Sequence, residues 1–160
     1  MMAVVDATAS VALPRADDTA VLGAQLAQQA RAGDVYGLSG DLGSGKTTLA
    51  RGFIQALVGP DCDVPSPTFT LVQTYDTPRG VVWHFDLYRM ARPDDAVELG
   101  LEDALIDGIC LIEWPQRLGP LWPSRGLMVV LDLAGTGRVA RLAGGPAWQA
   151  RVAGLARGRA

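Results

Sequence analysis

The sequence predicts an α/β fold of three layers around a mixed, partly parallel sheet, and three observations lead there. Residues 34–39 read as a short strand, which runs into a glycine-rich loop and out into an amphipathic helix over residues 47–58, with Leu49, Phe53, Ile54 and Leu57 on one face. Residues 109–114 form an almost unbroken apolar run carrying one carboxylate, the pattern of a buried parallel strand that ends at a site. Residues 68–75 and 81–88 are β-patterned and joined by Asp76-Thr77-Pro78-Arg79-Gly80, an inserted β-hairpin that adds antiparallel pairing.

In chain order, Asp17, Asp18 and Thr19 start a helix that Val21, Leu22, Leu26 and Ala30 continue at helical spacing until Gly33. The strand and loop follow. Gly40-Asp41-Leu42-Gly43-Ser44-Gly45-Lys46-Thr47 fits G-x-x-x-x-G-K-[ST], the P-loop pattern. Its glycines let backbone N–H groups converge on phosphates without interference from Cβ atoms, and the helix behind adds its positive N-terminal end. Lys46 is the only lysine in a chain whose other basic residues are all Arg, and it stands where a slim ammonium fits the loop and a guanidinium fork does not. These features point to a nucleoside triphosphate held by Asp41, Leu42, Gly43, Ser44, Gly45, Lys46, Thr47 and Thr48, with Thr47 reaching Mg2+.

Beyond the loop, residues 61–67 are turn-rich and the hairpin follows. Pro93-Asp94-Asp95 opens a helix that runs through Leu105 and ends near Gly108. Pro115 closes the apolar strand. Residues 127–133 and 138–142 make a final strand pair around Ala134-Gly135-Thr136-Gly137. Residues 1–145 are thus expected to form one P-loop domain, and residues 146–160 an Ala- and Arg-rich tail that is at best a weak helix.

A P-loop needs a second acid, because the metal and the attacking water both require oxygen ligands opposite Thr47. Three acids end or interrupt apolar strands: Asp86, Glu113 and Asp132. Strand period puts His84, Asp86 and Tyr88 on one face, with Trp83, Phe85 and Leu87 on the other. His84 is the only histidine, either a hydrogen-bonded structural residue or a group that tunes Asp86 or positions water. Glu113, at the end of a core strand, stands where a water-mediated magnesium ligand belongs. Asp132 reads as a surface acid.

Gly40 to Thr48, Ser66-Pro67-Thr68-Phe69-Thr70-Leu71-Val72, His84-Phe85-Asp86-Leu87-Tyr88-Arg89, Glu98-Leu99-Gly100 and Leu111-Ile112-Glu113-Trp114 together resemble the bacterial TsaE (YjeE) family. Its members are small ATPases required for the threonylcarbamoyladenosine modification of tRNA. The similarity runs from about residue 17 to residue 142. It implies phosphate and magnesium binding by Lys46 and Thr47, a magnesium-side role for Glu113, and a part in hydrolysis for Asp86. It further implies a switch role for Thr68, which would sense the γ-phosphate, and a place near the nucleotide for Trp114. ATP and Mg2+ are the cofactors it implies, and the partner is the TsaB–TsaD pair, with tRNA met indirectly through the complex. In that system the chain would hydrolyse ATP to reset the complex between rounds, leaving the transfer itself to the pair.

Other readings make other demands. Guanine recognition through N-K-x-D is excluded, since the chain has no asparagine and its one lysine serves the loop. A small-molecule P-loop kinase is the enzyme alternative, although such enzymes add an arginine-bearing lid and an acceptor pocket for which 160 residues leave little room. A binding module gated by nucleotide occupancy is the third. Arg138 and Thr19 are candidates for adenine contact or for solvated surface.

At 160 residues and 49% hydrophobic, the chain suits one domain with a core. Cys62 and Cys110 lack metal-ligand spacing and are expected as free thiols, and the absence of a basic leader and of a membrane-length apolar run predicts a cytoplasmic protein. Charge is uneven. Residues 1–113 carry 16 acids and 7 bases (−9), and residues 114–160 carry 1 acid and 7 bases (+6). That basic arm, with Arg151, Arg157 and Arg159 at its end, is either a solvated face or a contact for RNA or an acidic partner.

Overall fold

The computed structural model describes residues 9–157. Its strands are β1 (Ala9–Leu13), β2 (Val35–Ser39), β3 (Val72–Thr77), β4 (Gly80–Asp86), β5 (Ile109–Glu113), β6 (Leu127–Ala134) and β7 (Gly137–Ala143). They form one sheet in the order β1-β7-β6-β2-β5-β4-β3. The four central strands are parallel, while β7 pairs antiparallel with β6, β1 antiparallel with β7, and β3 antiparallel with β4. The expected α/β fold with a mixed sheet and a hairpin is what forms.

Helices α1 (Ala16–Gln28), α2 (Lys46–Val58) and α5 (Pro146–Arg157) pack against the sheet through one hydrophobic cluster, and α3 (Asp95–Glu98) and α4 (Leu101–Asp107) through the other. Strand period divides the residues between the two. In β5, Ile109 and Leu111 join the α1/α2 cluster, whereas Cys110 and Ile112 join the α3/α4 cluster. Helices α1 and α2 touch backbone to backbone. A Cβ added to Gly23 would lie 2.1 Å from the Leu49 carbonyl oxygen, and one on Gly52 would lie 2.2 Å from that of Ala20. That contact seats α2, and with it the loop at its N-terminus, close against α1.

Four elements differ from the sequence reading. Residues 9–13 carry no strong strand pattern, yet they pair along β7 from Ala9 opposite Leu142 to Leu13 opposite Arg138, burying Val11 and Leu13. Residues 68–71 are not strand: Leu71 adopts φ 69°, its N–H donates to the Pro67 carbonyl (2.7 Å) and its own carbonyl accepts the Asp86 N–H (2.9 Å). The result is a turn that folds Thr68 back over the end of β4. Gly100, at φ 93°, splits the predicted long helix into α3 and α4.

The fourth difference is α5, twelve residues where at best a weak helix is expected. Its stability is tertiary. Trp148 and Val152, one turn apart, are buried in the main core; the Trp148 indole N–H donates to the Arg125 carbonyl (2.7 Å), and its ring meets Tyr36 edge-on at 5.3 Å. Arg151, expected at the tip of a basic arm, instead turns inward. It donates to both carboxylate oxygens of Asp34 (3.0 and 2.6 Å) and to the Gln29 carbonyl (2.7 Å), 4.0 Å above the Trp148 ring. Its guanidinium is thus engaged within the fold and does not extend from it as part of a solvated arm. Arg159 and the side chain of Arg157 lie outside the described residues.

Both cysteines are free, as expected, with Cys110 buried. Among the described residues no helix is long and apolar enough to cross a membrane.

Candidate active site

The site lies where β2 gives way to α2. Gly40 at φ 148° leaves the strand, and a Cβ there would sit 2.6 Å from the Leu131 carbonyl and 2.5 Å from Ser44 Oγ, so only glycine fits. Gly45, left-handed at φ 107°, turns the chain into α2. Lys46 is the first helical residue. Its ammonium points back into the loop, donating to the carbonyls of Gly40 (2.6 Å) and Asp41 (2.8 Å), and lies 4.4 Å from the centre of the Trp114 ring. Burial pushes its pKa down, opposed by the negative charges of Glu113, Asp86 and Asp41. The loop tip, Asp41 and Leu42, is exposed.

Facing the loop are the ends of two parallel strands. Asp86 of β4 and Glu113 of β5 are register partners, so their carboxylates stand side by side on the α1/α2 face. Thr47, in the first turn of α2, donates its hydroxyl to Glu113, with both carboxylate oxygens at 3.1 Å. From the other side His84 Nε2 lies 2.7 Å from Glu113 Oε2; a carboxylate only accepts, so the ring donates through Nε2. His84 is fully buried, and its Nδ1 has no hydrogen-bond partner. The hydrogen-bonded structural reading of this histidine thus acquires a specific partner.

Asp86 has a different set of contacts. Its Oδ1 accepts the Tyr88 N–H (3.0 Å), which bends the chain out of β4, and its Oδ2 accepts the Thr68 hydroxyl (3.3 Å), itself 2.7 Å from Ser66 Oγ. Trp114, left-handed at φ 60°, packs its ring 4.9 Å from that of Tyr88. Lys46, Thr47, Thr68, Asp86, Glu113 and Trp114, six residues picked out along 69 positions of sequence, therefore meet in one connected cluster. Asp132 is not among them. It pairs with Arg141 on the surface of the β6–β7 ladder, as a surface acid should.

On the other flank of the loop is a cleft of about 360 Å³, lined by Pro14, Thr19, Ser44, Thr48, Thr136 and Arg138 among others. Thr48, Thr19 and Arg138 all border it. The Arg138 guanidinium is engaged, however: it donates to the carbonyls of Ser44 (3.0 Å), Gly43 (3.0 Å) and Gly137 (3.3 Å), all backbone. Leu13, Pro14 and Arg15, which also border the cleft, are missing from the sequence reading. Their place depends on β1, and no local pattern announces that strand.

A parallel β-core, a glycine loop opening a helix, and carboxylates at the ends of the neighbouring strands define a nucleotide-binding fold of the P-loop type. The family model for "Threonylcarbamoyl adenosine biosynthesis protein TsaE" matches residues 13–140, and the chain belongs to the TsaE family. The protein named tRNA threonylcarbamoyladenosine biosynthesis protein TsaE in Haemophilus influenzae is 44% identical over 96 residues, 59% of this chain and 60% of that one. Its Bacillus subtilis counterpart is 38% identical over 120 residues, 74% of each chain. The crystal structure of Bacillus subtilis YdiB superposes with a TM-score of 0.77 at 29% identity, covering 98% of this chain and 99% of that one. The match to the Haemophilus relative thus spans about 60% of that protein's length.

Proposed function

We propose that this chain binds ATP with Mg2+, hydrolyses it, and serves as the accessory ATPase of tRNA threonylcarbamoyladenosine formation at adenosine 37, acting with the TsaB–TsaD pair. The observation that carries the proposal is the convergence of Thr47, Glu113 and Asp86 from α2, β5 and β4 beside Lys46 at the mouth of a glycine loop. The relatives' names supply the pathway, and they supply it by family alone.

The donor set fits magnesium. The Thr47 hydroxyl and the Glu113 carboxylate are hard oxygen ligands within 3.1 Å of each other, and among the described residues no three His, Cys, Asp or Glu side chains form a metal cage. Mg2+ that takes most of its ligands from phosphate and water needs no such cage. Held through the Thr47 hydroxyl and the Glu113 carboxylate, the ion would supply positive charge that offsets the negative charge developing on the phosphates. The residues do the rest. Lys46 would exchange the carbonyls of Gly40 and Asp41 for phosphate oxygens, and His84 would hold Glu113 in one orientation. Asp86 would orient the water that attacks the γ-phosphorus and take up its proton, as the bond from that phosphorus to the bridging oxygen breaks to give ADP and inorganic phosphate. Thr68, bonded to Asp86, would report the γ-phosphate to the turn over residues 67–71.

Phosphate release is the test, measured for the chain alone, with TsaB and TsaD, and with a panel of small-molecule acceptors. Release should depend on Lys46 and rise with the pair. Transfer of the phosphoryl group to an acceptor would make the chain a kinase. ATP affinity of Lys46→Ala within about threefold of the parent, under roughly 0.7 kcal/mol, would refute the nucleotide site itself.

A further inference from the structure

We propose that Arg138 is a positioning residue that sets the conformation of the glycine loop, and so governs affinity for the phosphate chain and not for the base. The inference rests on the nucleotide reading above. Nε and Nη2 of one guanidinium hold two successive carbonyls, Ser44 and Gly43, each at 3.0 Å. A peptide unit is planar and trans, so a carbonyl and the following N–H point in opposite directions. Drawing Ser44 O toward β7 therefore turns the Gly45 N–H away from β7. Drawing Gly43 O the same way turns the Ser44 N–H to the opposite side, where it donates to the Asp41 carbonyl at 3.0 Å.

The loop needs such an anchor. Ser44 is flanked by Gly43 and Gly45, both at positive φ, and nothing lies within 4 Å of where a Cβ on Gly43 would be. Peptides between glycines cost little to reorient, and a phosphate cradle works only with its N–H groups already aimed. Arg138 is itself held firmly, because β7 lies between β1 and β6 with Arg138 opposite Leu13 on one side and Leu133 on the other. A planar fork with donors in fixed directions suits two adjacent carbonyls, and an ammonium does not. The strand pair that carries Arg138 also carries Thr136 and Gly137, which line the cleft beside the loop. The cleft and the glycine loop are thereby joined through one side chain.

The proposal and a base-contact role separate when ATP and tripolyphosphate, which has no base, are titrated calorimetrically with Mg2+ into the parent, Arg138→Gln and Arg138→Lys. Arg138→Gln should weaken both ligands by the same factor, at least about tenfold, or 1.4 kcal/mol. Arg138→Lys, which keeps the charge and lacks the fork, should recover less than a third of that loss and show faster hydrogen exchange at the Gly45 amide. Loss of ATP binding with tripolyphosphate unaffected would make Arg138 a nucleoside contact and overturn the proposal, as would unchanged affinities or full recovery with Lys. Should Arg138→Gln fail to fold, Arg138→Lys decides alone by the same comparison. A parent that binds neither ligand would refute the nucleotide reading instead.

Discussion

Arg151→Ala should destabilise the protein by about 3 kcal/mol while leaving nucleotide affinity intact. The Arg151 and Asp34 side chains are 14% and 9% exposed, and their ion pair is bidentate. Breaking a buried pair by removing one partner costs about 3–5 kcal/mol, because the other charge is left behind without compensation. Two facts favour the lower end. Asp34 keeps hydrogen bonds from the Arg31 N–H (3.0 Å) and the Tyr36 hydroxyl (2.9 Å), and the truncation leaves room for water near a partly open site. Loss of the Gln29 carbonyl contact and of the face-on contact with Trp148 works the other way. At about 3 °C per kcal/mol for a chain of this size, the unfolding midpoint should fall by roughly 9 °C. Scanning calorimetry of parent, Arg151→Ala, Asp34→Ala and the double variant measures it. The double variant should lose clearly less than the sum of the singles, since the two residues share one interaction. ATP affinity should stay within about twofold of the parent, because Asp34 sits at the far end of β2 from the loop, about 16 Å along five strand residues. A drop smaller than about 2 °C would return Arg151 to the solvated cations and refute the claim that it locks α5 in place.

Glu113→Ala should weaken binding of ATP with Mg2+ more than binding of ATP alone, whereas Asp86→Ala should bind nucleotide and hydrolyse it at least about a hundredfold more slowly; calorimetry with and without the metal, beside phosphate release, tests the pair, and reversed phenotypes would exchange the two roles. Rising pH should lower the protein's stability progressively from about pH 9 upward. Burial pushes the Cys110 thiol up from 9.0 to about 12 and raises the Tyr36 phenol as well, with Asp34 adding to the rise. Both groups keep their protons longer in the folded chain than in the unfolded one, so their contribution is complete below the unfolded pKa and is lost as pH climbs toward the folded value. Between pH 9 and 12 each group that has begun to ionise in the unfolded chain should cost about 1.4 kcal/mol per pH unit. Urea unfolding of Cys110→Ala should show a shallower fall over that range, and an unchanged slope would refute the assignment to the thiol.

What the sequence determined by itself is local. Three glycines, a lysine and a threonine at fixed spacing between a strand and a helix identify a phosphate loop, because the requirement for N–H groups free of Cβ interference acts within eight consecutive residues. Strand period likewise put His84 and Asp86 on one face, and the single carboxylate at the end of an apolar run marked Glu113. The tertiary structure decided everything that depends on which segments become neighbours. Asp86 and Glu113 stand together only because β4 and β5 pair in that register, and Thr47 reaches Glu113 only because α2 packs over their ends. Residues 9–13 carry too few strand-forming side chains to declare themselves, and they become a strand because β7 offers an open edge. The C-terminal segment shows the same limit from the opposite direction. Its alanines and arginines read as a frayed basic arm until a core receives Trp148 and Val152 and a carboxylate 117 residues earlier receives Arg151. Neither the charge of a segment nor its composition says whether its arginines face water, since that depends on burial of one partner against another, a property that exists only once the chain has closed on itself.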